Sequence, residues 1–310
     1  MQQEAGMTGP GLPLEQEAPV QAGMVVLRQA GFYTVQLPSG RRVVAVLRGR
    51  VRRAGPVVAG DRVRVRLVQD GFGVVEEVLP RSTELTRPPV ANVTRVVAVV
   101  AAPEPDLAWL DRLLVVAEAR GLSCVVCFNK IDLADPEAVA RWQQLYEGVG
   151  YPVAPTSART GQGVEQLARL LAGHVSTLSG PSGVGKSSLL NALCPEARAE
   201  VGEVSARSQR GRHTTRVVRL LPLPGGGLLA DTPGFSRLDL EGIPAKELGR
   251  LMPDIRRESA RCRFKGCLHR GEEGCAIPQA VEQGRVAASR YRHYRWLLEE
   301  ALEEEARRYS

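Results

Sequence analysis

Eight residues, Gly180-Pro181-Ser182-Gly183-Val184-Gly185-Lys186-Ser187, restrict what this chain can fold into more than any other stretch. They fit the pattern Gly-x-x-x-x-Gly-Lys-Ser, a loop that wraps nucleotide phosphates. Its glycines let successive backbone N–H groups turn toward one concave point without Cβ clashes. An apolar run over 175–178 precedes the loop. A helix is predicted to open at about Gly185 and to continue through Ser188 and Leu189-Leu190-Asn191-Ala192-Leu193. Its positive dipole end then faces the same anion as the loop. Lys186 is expected to reach the β- and γ-phosphates and Ser187 to ligate Mg²⁺. A glycine turn without a ligand would need neither the strand before it nor the helix after it.

A chain of 310 residues predicts two or three domains. The net charge of +7 points to a polyanionic partner more than to any fold. The basic residues are nearly all Arg, with Lys only at 130, 186, 246 and 265. Two of those lysines fall in nucleotide motifs, where a compact ammonium on a flexible stem suits the task. Residues 1–21 lack a basic start followed by an apolar run, so no secretory signal is expected there. No stretch holds about 18 consecutive apolar residues, so no membrane span is expected. A cytoplasmic monomer is the expectation. Six Cys without an export signal favour a metal site over disulfides.

After a tail over 1–21, residues 22–85 predict a small barrel. Five strand-like runs, over 24–28, 32–37, 42–48, 62–68 and 72–79, are separated by Gly-containing turns. The run Arg62-Val63-Arg64-Val65-Arg66-Leu67 alternates strictly, which sends Val and Leu to a core and Arg outward. Five strands in so short a stretch suit an OB-type barrel, a fold that often binds oligonucleotides. Between 41 and 66 stand nine Arg (41, 42, 48, 50, 52, 53, 62, 64, 66) against one acid, Asp61, a local net charge of +8. Like charges this dense repel one another unless a polyanion neutralises them. Phe32, Tyr33 and Phe72 are the aromatics, so backbone contacts are expected to outweigh base stacking.

Residues 86–238 predict an α/β nucleotide domain with its motifs in a shifted order. A buried parallel strand over 95–100 is followed by a helix that Asp106 can cap. A second apolar strand, Cys124-Val125-Val126-Cys127-Phe128, leads into Asn129-Lys130-Ile131-Asp132, which resembles the guanine-selecting motif of GTPases. The Asp132 carboxylate can accept from both N1–H and the 2-amino group of guanine, a donor pair that adenine lacks. Asn129 is expected to reach N7 and to tie loops together, and the Lys130 stem to cover the base. Cys124 and Cys127, inside an apolar strand, read as two buried thiols rather than a redox or zinc pair.

A helix from Pro136, a strand over 151–155 and a helix over 163–171 come next. Between them, Thr156-Ser157-Ala158 resembles the second guanine motif, in which backbone N–H contacts the base oxygen. The phosphate loop comes only then. After its helix a polar stretch over 195–213 ends in His213-Thr214-Thr215. Either Thr214 or Thr215 could place its hydroxyl on Mg²⁺, as the first switch of GTPases does. In Asp231-Thr232-Pro233-Gly234, Asp231 is expected to hold Mg²⁺ and the Gly234 N–H to sense the γ-phosphate. Every motif should end a parallel strand, so a chain cut at one place and rejoined at Ala172-Gly173 can keep the same site. Phe235 stands where many GTPases carry a water-orienting Gln, which leaves His213 as the nearest candidate for that task.

Residues 239–310 predict a cap stapled by metal. Cys262, Cys267, His269 and Cys275 supply three thiolates and one imidazole within fourteen residues, a set that suits one closed, structural Zn²⁺. A helix over 285–308 carries an apolar stripe of Tyr291, Tyr294, Leu298 and Leu302, with Arg290, Arg292 and Arg295 on other faces.

Taken together, barrel, rotated nucleotide motifs and zinc segment resemble the circularly permuted, ribosome small-subunit-dependent GTPase A family (RsgA) over about residues 22–300. That resemblance implies GTP hydrolysis stimulated by the small (30S) ribosomal subunit and a role in its late maturation, with rRNA contacts through the barrel and the zinc domain. The expected architecture is therefore a multidomain α/β protein with an OB-type barrel at 22–85, a permuted phosphate-loop GTPase domain at 86–238 and a zinc-binding helical domain at 239–310. A non-catalytic, GTP-sensing RNA-binding protein is the alternative, favoured by Phe235. An RNA-remodelling ATPase is a second, opposed by Asn129 and Asp132.

Overall fold

A computed structural model describes residues 19–69, 71–86, 89–195, 218–231, 240 and 242–309. Five strands come first: β1 (Val20–Gln29), β2 (Phe32–Gln36), β3 (Arg42–Leu47), β4 (Arg62–Gln69) and β5 (Phe72–Val78). β1 pairs with both β2 and β4, β3 runs parallel to β5, and β4 returns antiparallel on β5. The circuit 1-2-3-5-4-1 closes the sheet and leaves no edge to cover. Tyr33, Val35, Val43, Ala45, Val63, Val65 and Val75 fill the interior, as the alternation requires. The expected OB-type barrel is present. A short helix, α1 (Gly49–Ala54), joins β3 to β4 and was not expected; only its Val51 is buried, so the stretch carries no apolar periodicity.

The charge of the arginine-rich window is corrected by pairing across strands. Glu76 on β5 hydrogen-bonds Arg48 and Arg66, and Arg50 lies 3.7 Å from the same carboxylate. Glu77 pairs with Arg64 at 3.3 Å. Asp61 is wholly buried and is held by Arg81 at 2.7 and 2.9 Å. Two acids beyond residue 66 thus offset part of the +8, because β5 folds back beside β3 and β4.

A hairpin of β6 (Glu84–Thr86) and β7 (Pro89–Ala91) leads into the second unit. There β8 (Arg95–Ala101), α2 (Leu107–Ala119), β9 (Ser123–Asn129), α3 (Pro136–Val149), β10 (Val153–Thr156), α4 (Val164–Leu171), β11 (Val175–Ser179), α5 (Lys186–Leu193), β12 (Arg219–Pro222) and β13 (Leu228–Asp231) alternate. Strands lie in the order β10-β9-β8-β11-β13, all parallel, with β12 antiparallel on β13. Two apolar clusters cover the two faces of this sheet, which is why β8 and β9 read as unbroken apolar runs. Asp106 caps α2 through the Trp109 N–H, and Asp135 caps α3 ahead of Pro136. β1 also pairs with β12 through Leu27 and Arg219, so the barrel extends the same sheet. Val26 is buried in the core of the nucleotide unit.

The last unit holds a 3-10 segment (Ala245–Leu251), α6 (Pro253–Ser259), α7 (Ile277–Glu282) and α8 (Ala288–Tyr309). Its core includes Val115 and Val116 of α2 together with Tyr294, Leu297 and Leu298 of α8. Arg290, expected on a face other than the apolar stripe, is 1% exposed. It hydrogen-bonds both oxygens of Asp254 at 2.7 and 2.8 Å and also binds Asp111 of α2. Tyr146 of α3 donates to that same Asp111 at 3.0 Å, and His293 Nδ1 lies 2.6 Å from its other oxygen. A buried arginine is stable only when paired in this way. Among the described residues no helix is long and apolar enough to cross a membrane.

Candidate functional site

Four of the expected motifs lie at the C-terminal ends of parallel strands in one sheet. Asn129 closes β9, Thr156-Ser157-Ala158 follows β10, the glycine loop follows β11, and Asp231 ends β13. Ligands of open α/β sheets bind along this edge. The chain returns to it from either side of Ala172 and Gly173, which link α4 to β11 at the opposite edge. His213, Thr214, Thr215 and Gly234, with Phe235, lie outside the described residues.

Asn129 is the joint between the base side and the phosphate side. Its side chain is buried, and Nδ2 donates to the Val184 carbonyl of the glycine loop at 2.8 Å. Its Oδ1 accepts from the Thr156 hydroxyl and from the Ala158 N–H, both at 3.1 Å. Gly185 has φ +97, and a Cβ there would overlap the Asn129 amide. A Cβ on Gly180 would overlap the Val99 carbonyl of β8. Close approach therefore requires both glycines, and backbone conformation requires Gly185 as well.

Within the loop, Lys186 folds back and donates to the carbonyls of Gly180 and Pro181, both at 2.7 Å. Burial lowers its pKa, so the ammonium has reason to take up an anionic partner. Ser187 and Ser188 are exposed in the first turn of α5, with Pro181, Ser182 and Gly183 forming the open side of the loop. Asp231 is exposed at its strand end. An ammonium, hydroxyls and a carboxylate at one sheet edge are the donor set that phosphate and Mg²⁺ require.

Lys130 adopts a left-handed conformation, φ +64, and starts the short 3-10 turn Ile131–Leu133 that carries Asp132. Asp132 Oδ2 accepts from Arg159 Nη2 at 2.6 Å and from Nε at 2.9 Å. The Ser157 side chain first, and the Arg159 guanidinium next, hold the Asp132 carboxyl below the usual carboxylate range. It therefore stays an acceptor for N–H groups at any neutral pH. The Ser157 N–H donates to the Gln162 carbonyl at 2.9 Å, and the Ala158 N–H is taken by Asn129. Either donor must exchange its acceptor before it can reach a base oxygen. Arg159 was missed by sequence reasoning, and Thr156, named there only within its motif, gains the role of holding Asn129. Only the fold shows that the Thr156 hydroxyl reaches Asn129 and that the Arg159 guanidinium reaches Asp132.

The second cluster lies in the cap. One ligand atom from each of Cys262, Cys267, His269 and Cys275 lies within 4.8 Å of the others. His269 Nδ1 is 3.6 Å from the sulfurs of both Cys262 and Cys275. Zinc–sulfur and zinc–nitrogen bonds of about 2.0–2.3 Å at tetrahedral angles demand separations close to this. Burial lowers the His269 pKa and so favours the neutral, ligating imidazole. Glu272, also missed, accepts from the N–H groups of Leu268 and Arg270 at 2.9 and 2.7 Å, which folds the loop around the thiols. Tyr291 and Tyr294 of α8 donate to the carbonyls of His269 and Leu268. Cys124 and Cys127 are buried thiols, as expected, and desolvation pushes both up to about 12.

Known proteins share this arrangement over nearly its whole length. Residues 78–241 match the family model described as RsgA GTPase. A protein of Moorella thermoacetica named small ribosomal subunit biogenesis GTPase RsgA is 47% identical over 91% of this chain and 98% of its own length. One of the same name from Geobacillus kaustophilus is 42% identical over 92% of this chain and 99% of its own. The crystal structure of YloQ, described as a circularly permuted GTPase, superposes with a TM-score of 0.80 at 33% identity, over 94% of this chain and 99% of that one. YjeQ from Thermotoga maritima gives a TM-score of 0.77 at 37% identity, over 92% and 99%. With a family match across more than half the residues and relatives aligned almost end to end, this chain belongs to the RsgA GTPase family.

Proposed function

We infer that the chain hydrolyses GTP to GDP and phosphate and acts in biogenesis of the small ribosomal subunit, as the names of its relatives state for them. The observation that carries this reading is the Asn129 bridge, which joins the guanine-selecting turn to the phosphate loop through Val184. Asp132 accepts the paired N–H donors of guanine. The remaining Nδ2 hydrogen of Asn129 is left for N7. Lys186 exchanges two loop carbonyls for phosphate oxygens. Ser187, Asp231 and one of Thr214 and Thr215 would hold Mg²⁺, which neutralises charge on the phosphates when bound. The Gly234 N–H senses the γ-phosphate. One structural zinc sits on the Cys262, Cys267, His269 and Cys275 set. The protein works as a cytoplasmic monomer that docks on rRNA of the 30S subunit through barrel and cap, late in maturation, and hydrolysis releases it. We divide it into units at 22–85, 86–238 and 239–310.

Phosphate release from GTP with and without purified small subunits tests the reading. Stimulation by subunits supports it, whereas binding of GTP without release leaves a GTP-sensing RNA-binding protein. His213 takes the water-orienting task that Phe235 cannot perform. His213→Ala should abolish subunit-stimulated turnover and leave GTP affinity within about twofold; unchanged stimulated turnover removes His213 from the mechanism.

A further inference from the structure

The guanine-selecting turn holds a contact that guanine itself must break. Arg159 directs two N–H groups, Nη2 at 2.6 Å and Nε at 2.9 Å, to one oxygen of Asp132, Oδ2. The loop that carries Arg159 is fixed by its own backbone. The Ser157 N–H donates to the Gln162 carbonyl and the Gly161 N–H to the Ser157 carbonyl, both at 2.9 Å. The Thr160 N–H donates to the Ser157 hydroxyl at 3.2 Å. Gly163, at φ +72, lies so close to Pro155 that a Cβ would overlap its carbonyl oxygen. Asp132 is largely enclosed, its side chain 11% exposed, whereas the Arg159 side chain covers it from the solvent side at 73%.

An ionised carboxylate offers lone pairs on both oxygens. The N1–H and 2-amino donors of guanine need one oxygen each. Two Arg159 N–H groups already occupy Oδ2, so one of the two base contacts displaces an arginine donor. That contact is an exchange of one hydrogen bond for another rather than a gain. Hypoxanthine keeps N1–H and the 6-oxygen but lacks the 2-amino group. It can donate to Oδ1 and leave Arg159 in place. A site built to hydrogen-bond a donor rejects the analogue without it chiefly because an acceptor is then left unpaired. Arg159 supplies that missing partner. Adenine is a different case: its N1 is an acceptor and meets the carboxylate lone pairs whatever Arg159 does.

We propose that Arg159 is a specificity-determining residue that competes with the guanine 2-amino group for Asp132 Oδ2, so that the site separates 6-oxopurines from adenine but guanine from hypoxanthine only weakly. This rests on the reading of Asp132 as the base acceptor. Inosine nucleotides then join guanine nucleotides as ligands of the same site.

Displacement of a fluorescent GDP derivative from the full-length protein by GDP, inosine diphosphate and ADP tests the proposal. Diphosphates keep hydrolysis out of the measurement. In the parent, GDP should outcompete inosine diphosphate by less than about tenfold. Arg159→Ala leaves Oδ2 unpaired against hypoxanthine, and the ratio should widen by about fivefold to a hundredfold, the effect of one orphaned acceptor. Arg159→Lys still donates from its ammonium and should return the ratio toward that of the parent. A merely structural defect moves both diphosphates together and leaves their ratio alone. A parent ratio above about tenfold, or an Arg159→Ala ratio within about twofold of the parent, overturns the proposal. So does an equal loss of GDP and inosine diphosphate in Arg159→Ala, because the guanidinium then serves the nucleotide only as a general cation. ADP separates the two levels of the argument. If it competes with the parent as well as GDP does, Asp132 does not select the base and the underlying reading is lost. If ADP is rejected while the ratio ignores Arg159, only the competition for Oδ2 is lost.

Discussion

At the scale of single residues, the base selection we propose turns on one carboxylate. Asp132 offers two acceptor oxygens and is kept ionised by Ser157 and Arg159. Asp132→Asn replaces one acceptor with an N–H₂ donor. It should reject GTP by at least about a thousandfold, because the guanine donors then meet a donor in a closed site. Xanthosine triphosphate, which carries a carbonyl where guanine has its amino group, should be accepted instead. Nucleotide competition reads both effects, and retained GTP preference in the variant would remove Asp132 from the base site. The depressed pKa adds a sign. Protonation abolishes the acceptor pair, so guanine affinity should be flat through neutral pH and fall only below the usual carboxylate range.

At the scale of elements, the cap is fastened by charge as well as by packing. Arg290 of α8 meets Asp254 of α6 and Asp111 of α2, all three nearly inaccessible. Arg290→Met leaves two buried carboxylates without their cation and should destabilise the protein by about 3–5 kcal/mol. Thermal unfolding measures this, and Arg290→Lys should rescue little because one ammonium cannot match the two-pronged contact with Asp254. The zinc loop gives a second prediction. Cys262, Cys267 and Cys275 should resist a thiol reagent until a chelator is added, and then react as a group of three. Cys124, Cys127 and Cys194 should react only after unfolding, since burial pushes those thiols up to about 12, 12 and 11. Six thiols reacting together in untreated protein would rule out both assignments. These elements also show what a sequence can reveal. The phosphate loop, Asn129, Asp132 and the Cys/His set were legible because each motif is short and its chemistry is local. Arg290 was not. Its partners stand 36 and 179 positions away, and a charged residue in a helical pattern reads as solvent-facing until those partners are known.

At the scale of the whole molecule, the two expected docking units grip different halves of the nucleotide site. The barrel reaches β12 through β1, and β12 lies against β13, which ends in Asp231 on the phosphate side. The cap packs on α2, and its Arg290 network reaches α3, the helices that flank β9 on the base side. The β1–β12 pairing was invisible in the sequence because it joins strands almost two hundred residues apart. A partner that binds barrel and cap together therefore bears on both halves of the site, and each attachment raises the effective concentration of the other. Its affinity must then depend steeply on salt. Arg52 and Arg53 on α1 are exposed and form no ion pair with any described residue, unlike Arg48 and Arg66, which Glu76 already neutralises in part. Counterions displaced from a polyanion by unpaired cations count in full. Arg52→Ala with Arg53→Ala should therefore reduce the slope of log affinity for small subunits against log salt by about 1–2. Intrinsic GTP hydrolysis should be unchanged, because α1 lies outside the nucleotide edge. The measurement is the GTPase rate against subunit concentration at several ionic strengths. If the double variant keeps the parent slope, α1 does not face the polyanion, and the subunit is held by the cap or by another side of the barrel.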